Sequence, residues 1–451
     1  MAVTNAIPRK PKAPVASRLE PFPRVQRGPR ALGFYALLLF TAFYYLRPED
    51  FIPGLNAIPW AKITGGIALF ALIIEIVATG KVKLPTEIKL LILLFGQMML
   101  AIPFAVWRGG SFNVVFGKMS KAIIIAMLIS LIVGKLAELR RLVWIEAAAV
   151  ATVTIASVII GHHYFGRLYG ASNGILENPN DLAINIAINF PLCVAFLLVS
   201  RGLAKKLIWS GALLIMMYAV VATYSRSGLI ALFVTALVCL WEYGIKGRRL
   251  YLLGIAGILV MAAVAVALLT PNYPARVKSI VAGNIEGSGD HGSIEARNAL
   301  LKESVVLALH NPIFGIGPGN FPVIAENDWR VAHNSYTEIA AEAGFPALIL
   351  FVLALGCAFR NIRRVRKAAG YAENKELQLF TSALWASLTA YVVSAFFAST
   401  EYNLFPYFMI AYTSALYGIA CAPRSDPTNG STTHAKSSRI TKSRRELAWS
   451  R

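Results

Sequence analysis
The segment KAIIIAMLISLIV at 121–133 is one of about twelve apolar runs that recur along almost the whole chain. A backbone inside hydrocarbon has no water to bond to, so a run of about 20 apolar residues must satisfy its polar groups within one helix. Twelve such helices are expected, at about 31–46, 58–78, 88–107, 114–134, 141–161, 181–200, 207–222, 227–244, 250–269, 334–358, 379–397 and 404–422. With 57% hydrophobic and 15% charged residues in 451, composition excludes an ordinary soluble domain and agrees with an all-α, polytopic membrane protein.

The formal charge of +21 would suit a nucleic-acid partner if it covered one surface, but the basic residues are sorted by connection. Of 44 Lys and Arg, 32 lie in the N-terminal tail, the C-terminal tail and the alternate short loops near 81–89, 135–141, 201–206, 246–249 and 360–375. Such sorting is the signature of cytoplasmic segments. It predicts a basic cytoplasmic tail at 1–30, a membrane domain at 31–422 and a second cytoplasmic tail at 423–451. Contact with anionic membrane lipid accounts for the charge, and no nucleic acid is called for. Nothing before Arg30 has the form of a cleaved signal peptide, so the first span reads as a retained anchor.

With both termini inside, the remaining connections face outward, and five of the six histidines lie on that face. One connection is long, 270–333, and connections of that length tend to carry function. Within it IEARNALLKESVVLAL, 294–309, has helical spacing of apolar residues and reads as an amphipathic helix at the membrane surface. The run GIGPGN at 315–320 lacks the Lys-Ser/Thr ending of a phosphate loop and reads as a tight turn that seats this helix.

The stretch HNSYTEIAAEAG, 333–344, opens the tenth span. Ser335 and Glu338 fit a capping box, while Asn334, Glu338 and Glu342 fall on one helical stripe. Glu342, deeper in, must face protein or a wet cavity, either as a packing group or as support for a site. His333 projects at the outer aqueous edge with an imidazole that titrates near neutrality. Arg167 and Arg226 stand on the outer face against the charge bias, and each needs an anion: Glu177, Asp181, Glu401 or a ligand phosphate. In NPND, Asn180 is positioned to cap the sixth span, whose N-terminus also favours anions. No HExxH or CxxC occurs and His162 and His163 are adjacent, so no metal-ligand spacing is evident and no cofactor is expected.

Together YSRSG at 224–228, NPNDLA at 178–183, the Arg297-initiated helix ending in NPIFGIGPGNF, and HNSYTEIAAEAG resemble the O-antigen ligase and Wzy-type polymerase superfamily of bacterial envelope glycan enzymes. The resemblance implies a GT-C-like bundle of about twelve helices with a large periplasmic loop between the ninth and tenth. It also implies a metal-independent, inverting glycosyltransferase of the bacterial inner membrane. Such an enzyme moves a glycan from an undecaprenyl-pyrophosphate donor to a hydroxyl of a glycan or lipid-linked acceptor, such as lipid A–core, on the periplasmic face. By that match Arg167 and Arg226 hold the pyrophosphate with help from Arg297, Asn180 and Asn334 line the substrate site, and His333 deprotonates the acceptor.

Two other functions compete: a polymerase of polysaccharide repeat units, which shares these motifs, and a transporter or flippase for a lipid-linked or anionic solute. A transporter is expected to carry ionisable residues at mid-membrane in several helices, whereas only Glu75 and Glu146 are clearly central.

Overall fold
The computed structural model describes residues 29–80, 82–164, 166–172, 176–255, 257, 294–324 and 330–421, and the elements below all lie in the unit Pro23–Ala420. The chain is an all-α polytopic membrane protein. Its helices are α1 (Pro29–Leu46), α2 (Trp60–Thr79), α3 (Thr86–Phe104), α4 (Arg108–Ile132), α5 (Leu136–Ile160) and α6 (Pro179–Val199). They continue with α7 (Leu203–Ala222), α8 (Arg226–Ile245), α9 (Ile294–His310), α10 (Ser335–Val365), α11 (Lys375–Ser394) and α12 (Phe405–Ala420). Among the described residues nine are long and apolar enough to cross a membrane: α2 to α8, α10 and α11. α1 is a shorter apolar helix, and α12 coincides with the last expected run. The expected span 250–269 lies mostly outside the described residues, as do both tails and the parts 270–293 and 325–329 of the long connection.

Burial follows from position in the bundle. α6, α11 and α12 are covered on nearly every side: α6 packs on α5, α7, α8 and α11, and α12 on α4, α10 and α11. α2, α3 and α7 cover one face and leave Phe70, Leu93 and Leu207 exposed on the other, as helices do when their outer surface meets lipid.

The connections that are rich in Lys and Arg meet at one end. There Arg30 donates to the Ile132 carbonyl at 2.9 Å and pairs with Glu138, and Arg140 reaches Glu376 at 3.3 Å. Glu242, buried on a π-helical turn of α8, holds Lys246 and Arg366 at 2.8 Å each. The remaining connections come together at the other end, where the contacts between 97–107, 162–180, 223–226, 311–321, 332–345 and 395–402 are made. The alternation read from the sequence is therefore an alternation between two ends of the bundle.

One expectation needs correcting here. The tenth span is not a simple helix at 334–358: it runs to Val365 and is broken at Gly344, where φ is 82° and ψ 170°. Pro346 removes a donor just beyond. The carbonyls freed by the break find partners elsewhere. Ala341 and Glu342 accept from the N–H groups of Ile316 and Gly317 at 2.9 Å each, and Ala343 accepts from the Gln97 amide at 3.1 Å. Phe345 N–H donates to Pro312 at 2.9 Å. Irregular backbone at such depth is tolerated only where protein satisfies it, and here segment 312–317 does so. A Cβ on Gly344 would strike the Ile313 carbonyl. Gly344→Ala is accordingly expected to cost about 1–3 kcal/mol from the left-handed φ alone, read as a lower unfolding midpoint in detergent. An unchanged midpoint would mean that 312–317 is not anchored at the break.

Candidate active site
At the end where the less basic connections meet, α7 turns into α8 through Thr223–Ser225. Tyr224 takes a left-handed φ of 50°, and the Ser225 side chain caps α8 by accepting the Gly228 N–H at 3.2 Å. Arg226 is thereby the first residue of α8. Gly228 is required two residues on because a Cβ would collide with that of Ala183, so α6 and α8 approach closely beneath the arginine.

Arg167 reaches the same turn from a short hairpin, His163–Tyr164 paired with Arg167–Leu168. Its Nε donates to the Thr223 carbonyl at 3.0 Å and its guanidinium donates to Asn180 Oδ1 at 3.0 Å. Asn180 is not the cap of α6, contrary to expectation. Asn178 caps it by accepting the Asn180 N–H at 2.8 Å, since Pro179 occupies the first helical position and puts Asn178 at the N-cap. That frees the Asn180 side chain to hold Arg167.

α9 forms over Ile294–His310, in agreement with its spacing, and lays Leu300, Ser304 and Ala308 against α10, with Ser304 donating to Thr337 at 2.8 Å. Arg297, in its first turn, is the hub of a group of cations. Burial and then the charge of Arg226 lower its pKa. The field of Arg297 in turn opposes charge on Arg167, whose pKa is lowered chiefly by burial, and on His333. Burial first, then Arg297 and Arg330, bring the His333 imidazole down to about 4. Among the described residues neither Arg226 nor Arg297 forms an ion pair, and Arg297 Nε is buried without a hydrogen-bond partner. Cations crowded together in this way are costly unless an anion joins them.

His333 stands at the head of α10 with a left-handed φ of 55°. The expected capping box is shifted by one residue. Asn334, not Ser335, is the cap, its Oδ1 accepting from Tyr336 at 3.0 Å and Thr337 at 3.1 Å. Ser335 Oγ instead donates to the Ala398 carbonyl at 2.7 Å, and Glu338 Oε2 accepts the Ala332 N–H at 2.9 Å and a short bond from Ser399. The cap moved because Ser335 is fully buried against 395–400, where its hydroxyl has a stronger claim than the helix end. The Asn334 carbonyl is thus already engaged.

Glu342 explains the glycine run. Its oxygens accept the N–H groups of Gly319 at 2.7 Å and Phe321 at 2.8 Å, and the Tyr402 hydroxyl at 2.6 Å. Gly315, Gly317 and Gly319 all take positive φ, which lets the loop fold around this carboxylate as it would around a phosphate. The turn therefore seats on α10 as well as following α9. Glu338, Glu342 and Glu401 bring one oxygen each to within 4.8 Å of one another, all buried. Burial and then Glu342 push the Glu401 carboxyl up to about 8. Sequence reasoning missed this group: Glu338 and Glu342 are one turn apart, but Glu401 is near them only through packing.

The fold and the cluster define the class first: a polytopic helical membrane protein with an anion-ready group of arginines and a neutral imidazole at one end of its bundle. Residues 211–352, about a third of the chain, match the family model described as O-antigen ligase. The match supports the O-antigen ligase and Wzy superfamily for this chain. It covers Arg226, Arg297, His333 and Asn334, whereas Arg167 and Asn180 lie before it. No curated protein matches the chain.

Proposed function
We propose that the protein transfers a glycan from an undecaprenyl-pyrophosphate donor to a hydroxyl of a glycan or lipid-linked acceptor, with inversion at the anomeric carbon, on the periplasmic face of the bacterial inner membrane. The observation that carries this reading is the convergence of Arg167, Arg226 and Arg297 with His333, from four separate parts of the chain, without ion pairing of Arg226 or Arg297 among the described residues.

In this reading His333 removes the proton of the acceptor hydroxyl as its oxygen attacks the anomeric carbon from the side opposite the pyrophosphate. The bond from that carbon to the phosphate oxygen breaks. The negative charge left on the undecaprenyl pyrophosphate is met by guanidinium groups already in place, which lower the barrier because they need no reorganisation. Fixed arginines supply the charge stabilisation, so no step is assigned to a divalent ion. The donor also prepares the base: burial first, then Arg297 and Arg330, hold the imidazole near 4, and bound pyrophosphate offsets the field of the two arginines and so raises its basicity in the ternary complex. Asn180 serves by orienting Arg167, and Asn334 by fixing the start of the helix that follows His333.

Glycan analysis of a strain lacking the protein tests the reaction. Loss of acceptor-attached glycan with accumulation of lipid-linked polymer is expected. Accumulation of single repeats on the lipid carrier would make the protein a polymerase, and unchanged glycans with a defect in solute or lipid movement would favour a transporter.

A further inference from the structure
We propose that Glu338, held by Ser399, is the positioning residue for the base, an inference that rests on the reading of His333 as that base. His333 occupies a left-handed backbone conformation, φ 55°, which persists only where its surroundings fix it from both sides. On the C-terminal side the fixing is complete: Asn334 caps α10, and the N–H of Ser335 donates to the carbonyls of Ala395 at 2.8 Å and Ala398 at 3.1 Å.

On the N-terminal side the tie to α10 is the bond from the Ala332 N–H to Glu338 Oε2, 2.9 Å, one residue before the histidine. Ala332 and Glu338 are both buried, so no water competes for it. Glu338 is six residues away along the chain, and its oxygen is aimed back at the loop by a second donor, the hydroxyl of Ser399, from the connection between α11 and α12. A carboxylate at this point is expensive, since it lies against Glu342 and Glu401. What it supplies is a fixed acceptor for the Ala332 N–H, held in place by the Ser399 hydroxyl. The position is therefore built for precision at 332–333 rather than for stability.

Removing Glu338 also relieves crowding among three buried carboxylates, which offsets part of what its loss costs the fold. In an assay with purified protein, lipid-linked donor and acceptor, Glu338→Ala is expected to lower kcat by about 10²-fold, the loss typical of a small misplacement of a reacting group. KM for the donor should stay put, because the arginines are untouched. Glu338→Gln, which keeps an acceptor for the Ala332 N–H, should recover most of kcat. Ser399→Ala should show the same kcat-only loss to a smaller degree, and it serves as the variant of record if Glu338→Ala does not fold. In a His333→Ala background, Glu338→Ala should add no further loss. Wild-type kcat in Glu338→Ala, or in Ser399→Ala where it stands in, would overturn the positioning role. So would an equal loss with and without His333. If His333→Ala itself turned over at the wild-type rate, the reading of the base would fail first, and the positioning role with it.

Discussion
His333→Ala is expected to lower glycan transfer by about 10²- to 10⁴-fold, the contribution of a positioned general base, while the bundle stays folded and lipid-linked donor still binds. Folding is spared because the caps and ties at the head of α10 belong to Asn334, Ser335 and Glu338 and not to the imidazole. Donor binding is spared because Arg167, Arg226 and Arg297 remain. If His333 is the base, the same residue is expected to set the acid limb of the reaction. A base whose pKa is depressed stays neutral, and so competent, as pH falls through 6.5, and it is lost only as pH approaches about 4. In the wild-type enzyme kcat/KM, which reports the free protein, is expected to stay level from neutrality through pH 6.5 and to drop near that lower value. Near-normal turnover by purified His333→Ala removes the general-base role. An acid limb at 6.5 would mean that neither burial nor the arginines act on the imidazole in the free protein.

Arg226→Lys is expected to cost about 1.5–3 kcal/mol of a charge-assisted contact in a partly dry site, or roughly one to two decades in rate. Lysine keeps the charge but replaces a planar fork by a single ammonium on a flexible stem. The fold gives a reason for the strictness. Arg226 starts α8 from a turn in which Tyr224 is left-handed, Ser225 caps, and Gly228 lets α6 come close, so the backbone that carries the guanidinium is held in place. Titration of the purified protein with lipid-linked pyrophosphate, beside a turnover assay, checks the prediction. Wild-type turnover in Arg226→Lys makes the residue a general anchor and not a pyrophosphate clamp.

Much of the candidate site was legible as residue types at the ends of apolar runs. Arg167 and Arg226 could be noticed because an arginine between two membrane spans, on the less basic side, needs an explanation. His333 could be noticed because it precedes a helix start. The roles of the neighbours could not be read in the same way. Asn180 was expected to cap and instead orients Arg167, and Ser335 was expected to cap and instead bonds to Ala398. In the first case Pro179 moved the cap to Asn178 and left Asn180 free, and in the second a contact distant in sequence took the serine hydroxyl. Arg297 gave the weakest signal of the three arginines, yet its charge reaches both Arg167 and His333.

By itself, then, the sequence determined the class of fold and the alternation of connections between two ends, and pointed to the end that holds the candidate site. Those follow from properties summed over many residues: apolar length, the need of a buried backbone to bond to itself, and the sorting of charge. Tertiary structure alone decided the break of α10 at Gly344, the wrapping of the glycine run around Glu342, and the meeting of Glu401 with Glu338 and Glu342. Each of these depends on a few particular contacts between groups apart in the chain. Which donor reaches which buried acceptor is settled by packing and not by any pattern along the sequence.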